Sequence, residues 1–187
     1  MLCNGCECFN KPPGLSRHTP PHQGVPDSPL RSAAENNSSY LTAAGQDNFY
    51  FNLKPAGGVT TMWCALDAVD EENGSLSYLP ASHAAGLRDH HASWVKGFSQ
   101  SIKDFTPEDS SAMVEVADLQ PGDLVAHHSE CIHSARENTS PPERRRTRWA
   151  FASVFKRVDC VLDEEGQARY QASARSQGSA RRADEDD

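Results

Sequence analysis

The chain has 187 residues and a formal net charge of −8, with 18 Lys and Arg against 26 Asp and Glu and a pI of about 5.4. That length suits one domain with a real core and is short for two, and the acidic balance argues against nucleic acid or an anionic membrane as partner, because both are bound through clustered Lys and Arg. No apolar run approaches the roughly 18 residues of a membrane span, and the first residues lack the basic-then-apolar order of a signal peptide, so a cytoplasmic monomer is expected.

Residues 1–23 are rich in Pro, Gly and Cys. The string CNGCEC crowds Cys3, Cys6 and Cys8 together, but no second CxxC or HxxxH follows at zinc-finger spacing, so a reduced, exposed tail is expected. FNKPPG followed by HTPPHQ reads as a short strand, a turn and the start of a second strand. Gly24 to Gln46 is poor in large apolar residues and rich in Ser, Ala, Asn and Pro, the composition of a loop or disordered insert. From Asp47 the character changes: NFYFNL alternates, VTTMWCALDAV is β-branched and apolar, and ENGSLSYLP reads as a turn and a strand. Residues 86–110 suggest a surface excursion with a short helix near Ala92 to Phe98. AMVEVADLQPGDLVAHH then gives strand, turn and strand, and Arg148 to Val158 alternates as a last strand. Many short strands with Gly and Pro turns predict one all-β sandwich or barrel over residues 1–163, followed by a polar, disordered tail over 164–187.

Eight histidines stand at 18, 22, 83, 90, 91, 127, 128 and 133. The informative feature is a combination. His-Gln occupies 22–23 and Gln-Asp 46–47, so removing Gly24 to Gln46 would leave the uninterrupted string PPHQDNFYF. In a strand, residues i and i+2 share a face, so His-x-Asp presents an imidazole beside a carboxylate, and a later His can complete one face of an octahedron. Two imidazoles and one carboxylate with three open positions form the facial triad of non-haem Fe(II) oxygenases. A bound 2-oxo dicarboxylate also needs a bidentate cation, and Arg144 lies eleven residues beyond His133.

Taken in order, NKPPG, PPHQ continued by DNFYF, VTTMWCALDAVDEENGSLSYLPASH, and LQPGDLVAHHSECIHSARENTS with the RR that follows resemble the phytanoyl-CoA dioxygenase family of Fe(II)/2-oxoglutarate-dependent oxygenases. The resemblance implies an all-β fold with minor α, a double-stranded β-helix or cupin-like jelly roll, N-terminally short against the family. It implies iron held by His22, Asp47 and His133, the far carboxylate of 2-oxoglutarate clamped by Arg144, with Arg145 the alternative on family spacing, and Trp63 lining the co-substrate pocket. The implied reaction hydroxylates an unactivated carbon of a small molecule or acyl chain and releases succinate and CO2, with Fe(II) as cofactor and 2-oxoglutarate and O2 as co-substrates. His83 and the pair His127-His128 read as structural, since one of two successive strand residues must face away from a site.

The split motif admits two readings. In one, Gly24 to Gln46 is an insertion and Asp47 is the carboxylate ligand. In the other, HQG is the motif as it stands, with Gly24 in place of the carboxylate, as in related iron halogenases. The attachment of NFYFNL to Asp47 favours insertion. A loop between His22 and Asp47 costs preorganisation, so the alternative function is a disabled or metal-binding-only member of the family.

Overall fold

A computed structural model describes residues 1–13, 44–92, 100–144 and 146–185. The strands are β1 Leu2–Lys11, β2 Leu53–Lys54, β3 Val59–Ala65, β4 Leu76–Tyr78, β5 His90–Ala92, β6 Gln100–Ile102, β7 Val114–Val116, β8 Leu124–His128, β9 His133–Ala135, β10 Arg148–Lys156 and β11 Val161–Leu162. The helices are α1 Asn48–Phe51, α2 Pro107–Ser111 and α3 Glu164–Glu185.

Four strands form the main sheet in the order β1-β10-β3-β8, and three form a second sheet in the order β7-β4-β9. Every pairing is antiparallel. Alternation sets what each strand buries. On β3, Val59, Thr61, Trp63 and Ala65 point inward while the residues between them are half-buried. Ala150 and Ala152 on β10 join Trp63, Ala65, Val69 and Leu76 in one cluster, against which Tyr78 and Ala135 of the second sheet pack. Two antiparallel sheets closed over a shared apolar core make the expected β-rich jelly roll.

Four segments bear on the expectations from sequence. CNGCEC is not a tail: β1 pairs with β10 from Leu2↔Lys156 to Lys11↔Arg148, with a bulge between Cys3 and Gly5. The free edge of β10 supplies the ladder partners that local composition does not reveal, and all six cysteines are free thiols. NFYF is helical rather than extended, because the Asn48 amide accepts from Leu53 N at 3.0 Å and donates to Leu53 O at 3.1 Å, closing a turn that Asn52 completes at φ 50°. The segment 164–187, expected as a tail, is helix over Glu164–Glu185; its Glu, Gln, Ala and Arg are good helix formers, and Tyr170 packs edge-on against Phe49 and Tyr50. The helix expected near Ala92 to Phe98 falls on 93–99, outside the described residues.

His90 tests this packing. Its ring stacks on Phe49 at 4.1 Å between centroids, and burial lowers its pKa to about 4 against the opposing influence of the Arg88 carbonyl, Asp89 and Asp104, with the neighbouring His91 adding to the lowering. An unfolded histidine titrates near 6.5, so between about pH 6.5 and 4 the unfolded chain binds the extra proton. Stability is therefore complete above about pH 6.5 and falls on acidification toward pH 4, by on the order of 3 kcal/mol. Urea unfolding at pH 7 and pH 4.5 should show the loss, and His90→Phe should flatten it.

Candidate metal centre

Three chain segments meet at one end of the core. Asp47 precedes α1, His127 lies on β8 directly opposite Thr61 of β3, and His133 opens β9. Asp47 is positioned by the short stretch before it. Gly45 exchanges backbone hydrogen bonds with His133 at 3.0 and 3.1 Å, so the chain entering α1 runs along β9. Ala44 and Gln46 are buried, so this edge of the expected insert belongs to the folded core. The Gln46 amide donates to the carbonyls of Gly86 and Glu130 at 2.9 and 2.7 Å and accepts from Arg88 N at 2.8 Å. Gln46→Ala would leave these three backbone groups unpaired in the interior, and should lower unfolding free energy by roughly 3 kcal/mol, measured by urea denaturation.

The Asp47 carboxylate sits between two imidazoles. Its Oδ2 accepts from Thr61 Oγ1 at 2.5 Å and lies 3.0 Å from His127 Nε2, while Oδ1 lies 3.5 Å from His133 Nε2. One ligand atom from each of the three residues lies within 4.8 Å of the other two. Burial alone would push the Asp47 carboxyl up. The nearby imidazoles of His133 and His127, with the hydrogen bonds from His127 and Thr61, instead hold it well below the usual carboxylate range. Burial pushes His133 down, against the attraction of Asp47.

Outer contacts orient both rings. His133 Nδ1 lies 3.0 Å from the Cys131 carbonyl, which can only accept, so Nδ1 carries a proton and Nε2 is the ring atom that faces Asp47. His127 Nδ1 lies 3.0 Å from the Tyr78 hydroxyl, which can donate or accept. Ligands bound cis on a metal at about 2.1 Å are about 3.0 Å apart, which the Asp47 Oδ2–His127 Nε2 spacing of 3.0 Å matches and the Asp47 Oδ1–His133 Nε2 spacing of 3.5 Å exceeds.

Of the residues expected at the site, Asp47 and His133 come together. His22 and Arg145 lie outside the described residues. Trp63 is buried on the same face of β3 as Thr61, two positions further on. Arg144 ends a short 3-10 turn at the surface, where both Glu72 carboxylate oxygens accept from it at 3.0 Å; it is not brought to Asp47.

The sequence reading takes the pair His127-His128 as structural and does not single out Lys11 or Arg148. His127 faces inward, whereas His128 turns toward His83, ring centroids 5.1 Å apart. Lys11 and Arg148 face each other across β1 and β10, only 1% and 5% exposed. The Arg148 guanidinium carbon stands 5.2 Å from the Trp63 ring centroid, its Nη1 donates to the Gly74 carbonyl at 2.9 Å, and its Nε has no partner among the described residues. The Lys11 amine donates to the Arg136 carbonyl, and burial, then the charge of Arg148, lower its pKa to about 7. Among the described residues neither cation forms an ion pair with a carboxylate. Strand alternation was the available signal for Arg148, which opens β10 on the face of Ala150 and Ala152. For Lys11 the signal was only its place after an apolar Phe-x pair.

The sequence profile described as Phytanoyl-CoA dioxygenase (PhyH) matches residues 7–147. Peroxisomal phytanoyl-CoA dioxygenase of Bos taurus is 28% identical over 165 residues, covering 86% of this chain and 45% of the relative. The chain therefore spans less than half the length of the curated relatives it matches first. Among solved structures, the non-heme monooxygenase ThoJ superposes with a TM-score of 0.60 at 20% identity, covering 87% of this chain and 48% of ThoJ. The epimerase SnoN, solved with Fe3+, alpha ketoglutarate and nogalamycin RO, superposes with a TM-score of 0.52 at 26% identity, covering 69% and 47%.

Proposed function

Because this chain belongs to the phytanoyl-CoA dioxygenase family, we propose that it is a non-haem Fe(II)/2-oxoglutarate-dependent dioxygenase acting on a small molecule or acyl chain. The observation that carries this reading is the buried Asp47 carboxylate set between the Nε2 atoms of His127 and His133. Asp47 and His133 would hold the metal, with a second imidazole. Iron(II) bound there, with 2-oxoglutarate and O2 as co-substrates, would supply the power to hydroxylate an unactivated carbon, releasing succinate and CO2.

The protein's own groups do the rest. Thr61 donates to Asp47 and fixes the carboxylate plane, and the Cys131 carbonyl fixes the His133 tautomer. Along the inner face of β3, successive inward residues are about 6.6 Å apart, so Trp63 and the Arg148 guanidinium over it lie further along the wall that begins at Thr61. Arg148 supplies buried positive charge there, which suits the far carboxylate of a dicarboxylic co-substrate better than Arg144 in its Glu72 pairing. A cavity of about 300 Å3, lined by Tyr78, Ala81, His83, Val125, His127 and Cys131, opens beside His127 and gives a substrate an approach with an apolar lining. No helix among the described residues is long and apolar enough to cross a membrane.

The test is anaerobic titration of the chain with Fe(II) and 2-oxoglutarate, followed by exposure to O2. A weak visible charge-transfer band and then succinate are expected; a chain that binds neither metal nor 2-oxoglutarate would overturn the reading. A second reading, metal binding without turnover, draws on Arg144 being engaged by Glu72, and predicts iron uptake with no charge-transfer band and no succinate.

A further inference from the structure

We infer that His127 is a metal ligand of this chain, so that Asp47, His127 and His133 together form the two-histidine, one-carboxylate face and no imidazole from the His-Gln at 22–23 is required. The inference rests on the proposed iron site and deepens it by assigning the second imidazole to a residue that the split motif does not contain.

Three observations carry it. The first is position: His127 Nε2 lies 3.0 Å from Asp47 Oδ2, the separation of two cis ligands on one ion, and the His127 and His133 rings lie 4.7 Å apart between centroids. The second is anchoring. Thr61 is the cross-strand partner of His127 and also donates to Asp47, so register between β3 and β8 sets both ligands at once.

The third observation is the far side of the ring. A histidine that binds metal through Nε2 keeps its proton on Nδ1 and donates it to an oxygen. The Tyr78 hydroxyl stands 3.0 Å from His127 Nδ1 and can serve both tautomers. Without metal, Tyr78 donates to Nδ1 and Nε2–H donates to Asp47. A metal bound at Nε2 would leave the imidazole proton on Nδ1, where the Tyr78 oxygen can accept it. A phenylalanine-like or aliphatic residue in place of His127 would fill the same space without this capacity.

The experiment uses Co(II) as probe with the full chain, read by the visible d–d absorption of the bound ion and by titration to stoichiometry. His127→Phe and His127→Gln both retain side-chain bulk, and their metal-free melting temperatures report whether they fold. The expected result is one Co(II) per wild-type chain, unchanged binding in His22→Ala, and binding weakened by more than about 100-fold in both His127 variants. Binding retained in either folded His127 variant, or lost in His22→Ala, overturns the assignment of His127 and leaves the iron site standing with His22. A wild-type chain that binds no Co(II) overturns both.

Discussion

Asp47→Asn removes metal binding while leaving the fold in place. Asparagine keeps the shape and an oxygen that can accept from Thr61, so the metal-free protein should melt within a few degrees of wild type. What is lost is the negative charge that both imidazoles face, at a position where Asp47 is the carboxylate grouped with His127 and His133. Metal affinity should fall by more than about 100-fold, beyond what removal of an outer-shell partner does. The readout is a metal-dependent thermal shift. At a metal concentration one hundred times Kd, binding stabilises the wild type by about 2.7 kcal/mol, and the asparagine variant should show no shift under the same conditions. A full shift in the variant would mean that the metal is held elsewhere, and would remove the basis of the proposed oxygenase.

Arg148→Met separates the two candidate clamps. The guanidinium is buried, stacked over Trp63, and satisfied by one carbonyl with Nε unpartnered. A buried charge without a carboxylate partner costs desolvation, so its replacement by methionine should leave the ligand-free protein as stable as wild type or more so. The affinity for 2-oxoglutarate should fall by about 100-fold, because truncating one side of a buried charge pair typically costs 2–5 kcal/mol. Binding can be followed by isothermal titration calorimetry on the metal-loaded chain. Arg144→Ala removes only a surface pair with Glu72, worth about 0–1 kcal/mol, and should leave 2-oxoglutarate affinity unchanged. The opposite pattern, with Arg144→Ala damaging and Arg148→Met silent, would return the clamp to Arg144 and require its release from Glu72.

Legibility in the sequence followed the range of the interactions concerned. Trp63 and its neighbours announced a strand because alternation is written into consecutive residues, and β3 follows it without exception. Where a local hydrogen bond competed with alternation, the pattern misled: NFYF alternates, yet the Asn48 amide folds it into α1. CNGCEC carries no alternation, and its strand exists only because β10 offers a free edge 143 to 152 residues later in the chain, from Cys8↔Phe151 to Cys3↔Phe155. The polar segment after Asp163 has nothing to bury on its own, but good helix formers and one aromatic, Tyr170, suffice once Phe49 and Tyr50 are in place to receive it.

The sequence by itself carried the resemblance: a β-rich chain with Asp47 and His133 in strings ordered as in the phytanoyl-CoA dioxygenase family, and a net charge of −8. Only the tertiary structure decided which of two adjacent histidines enters the site and which of several arginines is buried. Those choices depend on strand parity, and parity is fixed by partners far away in the chain: Thr61 across from His127, and Lys11 across from Arg148. A shift of one residue in either register would turn His128 inward or carry Arg148 to the solvent, with no change in the sequence at all.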